Sequence, residues 1–116
     1  MELARLDFQQ LRVKHIAHKS KVRAVLYGGG YSERYFQEDN PVSQWFSTVG
    51  SVKYSREAWF PQLYRLHRDF SVLAEELIKM YGSDLIEQAH EGLGELSAVS
   101  EIFLHTLSTI ERQYPS

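Results

Sequence analysis

The chain has 116 residues, 24% of them charged, and a formal net charge of −2; that is one domain with a single core, and the balance argues against a nucleic-acid binder, which would carry a basic patch or stripe. Cysteine is absent, which excludes disulfides, thiolate metal ligands and a thiol nucleophile. No apolar run approaches the ~18 residues of a transmembrane helix, and Met1 to Arg5 lack the regions of a signal peptide, so a cytoplasmic protein without membrane insertion is expected.

The first helix should cover about 3–26, with Phe8, Leu11, His15, His18, Val22 and Val25 on one seam. Its basic residues (Arg12, Lys14, Lys19, Lys21, Arg23) interleave with that seam and read as a solvated face. Gly28-Gly29-Gly30 ends it. A polar connector, 31–39, shows no periodicity. Asn40 followed by Pro41 signals the start of a short second helix. Its apolar face is Val42, Trp45, Phe46 and Val49, and Gly50 is its expected stop.

Segment 51–58 is ambiguous, a loop with Ser55 as a cap being one reading. The third helix should cover 59–81, with Pro61 tolerated in its first turn. Phe60, Leu63, His67, Phe70, Ala74 and Leu77 form its seam, and Ser71 lies one turn beyond His67. Gly82 ends it and Ser83 should cap the fourth. That helix carries Ile86, Ala89, Leu93, Leu96, Ser100, Phe103, Leu107 and Ile110 on one stripe, closing at Tyr114-Pro115. A second row (Leu85, Val99, Ile102, Leu104) and the small Gly92, Gly94, Ser97 and Ala98 suit either a dimer interface or a helix buried in its own bundle. No segment reads as a strand. The expectation is all-α: one domain, 1–116, folded as an antiparallel four-helix bundle with one short helix among three long ones.

Imidazoles in an apolar seam are costly unless their nitrogens find partners. His15, His18 and His67 could supply three ligands to a zinc ion, with Glu38 or Asp39 completing the site. The alternative is a set of core histidines satisfied by hydrogen bonds. No HExxH, GxSxG or Walker motif is present, and the glycine run follows a helix and not a strand. An enzyme is therefore not expected. The rings Tyr31, Tyr35, Phe36 and Tyr54 suggest a further alternative, a helical adaptor binding a partner protein.

His15-Ile16-Ala17-His18-Lys19, Trp45, and the run Phe60-x-x-Leu63-x-x-x-His67-x-x-Phe70 together resemble the chemoreceptor zinc-binding (CZB) domain family. That family has a first helix bearing a histidine, with tryptophan and lysine after it. A short helix follows with cysteine five positions before a tryptophan, then a helix with His-x-x-Phe-His. The likeness spans about 8–112. On this alignment His15 and His67 match two metal ligands, and His18 stands where the tryptophan would be. Asn40 replaces the cysteine and Ser71 the last histidine, with His18 and Asp39 as the available substitutes.

The resemblance implies a non-enzymatic sensory or regulatory module of bacterial signal transduction, of the kind attached to chemoreceptors or diguanylate cyclases. It would be free-standing or the N-terminal domain of a longer signalling protein. Its zinc site would be degenerate, with no cofactor, and it would act as a homodimer or through a signalling partner. The alternative is a working zinc sensor with a rearranged histidine site.

Overall fold

A computed structural model describes residues 2–37 and 40–114. The described residues are helical or in turns, with no strand: α1 (Glu2–Leu26), α2 (Glu33–Gln37), α3 (Pro41–Trp45), a π-helical turn (Phe46–Gly50), α4 (Ser51–Lys53), α5 (Phe60–Gly82) and α6 (Ile86–Glu111). None of these helices is long and apolar enough to cross a membrane. Asp39 and Glu38 lie outside the described residues.

The seam of α1 is buried as its periodicity requires, and so is that of α5 from Leu63 to Leu77, with Phe60 half-buried. On the α6 stripe, Ala89, Leu96, Ser100, Phe103, Leu107 and Ile110 are buried and Ile86 is exposed. Gly28 takes φ +95°, a conformation that only glycine adopts cheaply, and its N–H donates to Val25 O as α1 ends.

Four local expectations are corrected. The connector is not featureless: Ser32 Oγ accepts from the Tyr35 N–H and opens α2, which buries Phe36. Gly50 does not stop the short helix. It has helical φ/ψ, and a Cβ there would lie 2.7 Å from Phe60 Cε1 and 3.0 Å from Trp45 Cζ3, so glycine serves close packing and the chain stays helical to Lys53. Ser55 caps nothing, because Trp59 precedes α5 without a side-chain cap. Ser83 does not cap α6 but closes α5. There the Leu85 N–H reaches Met80 O and the Asp84 N–H reaches Tyr81 O, a Schellman motif with Asp84 at φ +67°.

Residue pairings link the helices. Phe8 lies against Tyr114, Arg12 pairs with Glu111, and His90 meets Leu26 O. Trp59 lies beside Tyr114, and Leu77 against Gly92. Ser43 lies at His67 and Gly50 at Phe60.

The core is in two parts. One cluster centres on Phe8, Leu11, Trp45, Trp59, Phe103 and Leu107; the other on Val22, Leu26, Phe36, Phe70, Leu77 and Leu96. At the end of the first, Asp7 is 7% exposed. It accepts from Tyr54 OH (2.7 Å) and Lys53 Nζ (3.0 Å), and Trp45 Nε1 donates to its carbonyl (2.9 Å). Burial and the adjacent carboxylate hold the Tyr54 phenol well above its ordinary value. Tyr54 and Phe36 are therefore core residues, and of the four rings considered as an adaptor surface only Tyr31 is exposed.

Candidate functional site: a buried histidine belt

Where the two clusters meet, the seams turn polar. His15 stacks on Phe103 of one cluster (centroids 4.4 Å) and meets Phe70 of the other edge-on (4.8 Å). His18 sits among Phe70, Phe36 and Tyr35. His67 stacks on Phe46 at 5.3 Å. Helical spacing alone brings these rings inside, since each occupies a seam position that would otherwise hold an aliphatic residue. All three are at most 3% exposed.

Burial makes the charged imidazolium expensive, so all three basicities fall. His15 drops from 6.5 to about 3, through burial first and then the charges of His18, His67 and Lys19. His18 drops to about 4 by burial. His67 drops to about 4 through burial and then His18. At neutral pH the belt is three neutral imidazoles that feel one another.

Each hydroxyl partner comes from a different helix. His15 Nε2 and Ser100 Oγ are 2.8 Å apart, and His67 Nε2 and Ser43 Oγ 2.9 Å. On the other side of the rings nothing answers: His15 Nδ1, His18 Nδ1, His67 Nδ1 and Ser71 Oγ are buried with no partner among the described residues. Ser71 therefore does not satisfy His67. Asn40 is buried, but its Oδ1 accepts from the N–H groups of Val42 (3.0 Å) and Ser43 (3.3 Å), the expected cap.

Ser43 and Ser100 were not foreseen as partners. A hydroxyl between Leu96 and Phe103 on an otherwise apolar stripe was the available cue for Ser100; Ser43 had none, since it lies on an exposed position of a short helix. The zinc implied by the resemblance can be tested against these atoms. Neutral imidazole nitrogens without partners are suitable donors. Yet among the described residues no three His, Cys, Asp or Glu side chains are grouped to hold one ion, and the Asn40 oxygen is committed to a helix.

A groove of about 790 Å³ opens elsewhere, lined by Val25, Tyr31, Val72, Glu75 and Tyr81 among others, and none of the three histidines lines it. In comparisons with known proteins, no family model, no curated protein and no solved structure matches the chain.

Proposed function

We propose that the chain is a non-enzymatic regulatory module of cytoplasmic signal transduction, built like the chemoreceptor zinc-binding domains of receptors and diguanylate cyclases. Its zinc site is degenerate and its output passes through dimerisation or a signalling partner. The fold assigned to it is an antiparallel four-helix bundle whose short member is the α3–α4 segment, a reading supported by the residue pairings of α1, α5 and α6.

One observation carries the degenerate-site reading: Asn40, at the position of the thiolate in the resemblance, spends its side-chain oxygen on two backbone N–H groups. An amide so engaged is not released to a metal without uncapping a helix. Metal analysis of untagged protein tests this, and the expected content is well below one zinc per chain. One tightly held zinc per chain, lost on His67→Ala, would refute it.

A second reading, a zinc sensor with a rearranged site at His15, His18, His67 and Asp39, is favoured by the three unpartnered Nδ1 atoms. Imidazoles already neutral at pH 7 need shed no proton to bind a metal. It expects the melting temperature to rise with micromolar zinc, since a ligand of the folded state stabilises it by mass action. An unchanged melting temperature removes it.

A further inference from the structure

The groove away from the belt runs between the last turn of α1, the end of α2 and the closing turns of α5, and its volume of about 790 Å³ falls within the range of small-molecule sites. Its floor is backed by the protein interior, because Val25 belongs to the second core cluster. Val72 forms part of one wall. It is 50% exposed and is the one Val, Leu or Ile of α5 left so open to solvent. Tyr31 stands across from the helix; one face of its ring is stacked on Phe36 at 5.4 Å, yet the residue remains 47% exposed. Tyr81, backed by the His90 ring, closes the far end. A ring fixed on one side and open on the other, beside an uncovered valine, offers an organic body a surface it can dry.

The charges in the groove select among such bodies. Glu75 and Glu76 both line it and both are exposed, and neither has an ion-pair partner among the described residues. Lys79 lines it too and pairs with neither, so the lining holds two carboxylates against one ammonium; its other polar side chains, Gln37 and Ser83, are neutral. An anion would meet two like charges. A neutral apolar body would gain nothing from the carboxylates at its edge. A cation gains from both, and the open tyrosine ring adds to this, because an ammonium or guanidinium is attracted to an aromatic face. Val72 precedes Glu75 and Glu76 by one helical turn, so a body resting on it carries a substituent to within reach of either carboxylate.

We propose that this groove is a binding site for an amphipathic organic cation, an ammonium or guanidinium on an aromatic or branched aliphatic body. The body lies against Val25, Val72 and Tyr31, and the charge lies beside Glu75 and Glu76. Such a site is separate from the histidine belt and from the module reading, and neither needs the other.

Isothermal titration of the full chain with three compounds of one apolar body tests this: naphthylethylamine, the neutral naphthylethanol and the anionic naphthylpropionate. The amine should bind tightest, with a dissociation constant that rises with salt. Glu75→Gln with Glu76→Gln keeps the shape of the groove and should weaken the amine roughly tenfold, while the alcohol and the circular dichroism spectrum stay unchanged. Val72→Lys should weaken the amine at least as much, whereas Val52→Lys, 75% exposed on α4 and outside the groove, should leave it unaffected. No binding of any of the three, an alcohol that binds as tightly as the amine, or a tighter carboxylate overturns the cation site. Amine binding indifferent to Glu75, Glu76 and Val72 overturns it as well, since the compound would then lie elsewhere. None of these results bears on the module reading, whose test is zinc content.

Discussion

Mild acid should unfold this protein, through the histidine belt. In the unfolded chain each imidazole takes a proton near pH 6.5; in the folded chain His15 does so only near 3, and His18 and His67 only near 4. Between those values the unfolded state binds more protons, so stability is fully present above 6.5 and is lost as pH falls toward the folded values. At pH 5 each group costs about 2 kcal/mol, about 6 kcal/mol for the three. That is comparable with the whole stability of a small domain, ~5–15 kcal/mol. Asp and Glu titrate near 4 in unfolded chains, which leaves the window from about pH 7 to 5 largely to imidazole. Urea titrations followed by circular dichroism across that window should show the midpoint falling steeply with an unchanged slope m. A midpoint that is flat across it would refute the reasoning, because it would mean that these rings titrate alike in both states.

Other consequences can be checked in the same assay. Asn40→Ala uncaps α3 and leaves the Val42 and Ser43 N–H groups without their side-chain acceptor, so a loss of about 0.5–2 kcal/mol is expected; no loss would mean that the cap is not formed in solution. Gly92→Ala drives a methyl into Leu77 and should destabilise by about 1–3 kcal/mol, whereas Gly94→Ala, facing open space, should not destabilise and gains helix propensity. His18→Leu deletes an unpartnered buried Nδ1 among Tyr35, Phe36 and Phe70. It should hold or raise stability at pH 7 and remove one third of the acid slope; a loss of several kcal/mol would show that the ring has a partner essential to the fold.

The long helices were legible because their signal is local. Burial at every three or four residues in α1, α5 and α6 follows from periodicity alone, and so did the Asn40 cap. What was missed depends on contacts that periodicity does not report. Gly50 looks like a stop until Phe60 and Trp45 are seen pressed against it. Ser83 looks like an N-cap until Asp84 adopts the left-handed conformation that closes α5. The belt shows the same divide: spacing placed three histidines inside, but it could not reveal that a hydroxyl on α6 would answer His15 or that one on α3 would answer His67.

The belt is hard to explain as a device for stability. Each buried polar atom left without a partner costs about 1–3 kcal/mol, and four of them lie where two apolar clusters could have merged into one core. Aliphatic residues at His15, His18 and His67 would join those clusters and abolish the acid sensitivity together. A chain that keeps three imidazoles there accepts a weaker fold in return for groups that respond to protons. α1 carries His15 and His18 on its inner face and Val13 and Ile16 on its outer face, so a change in the belt that displaces this helix also moves its exposed side.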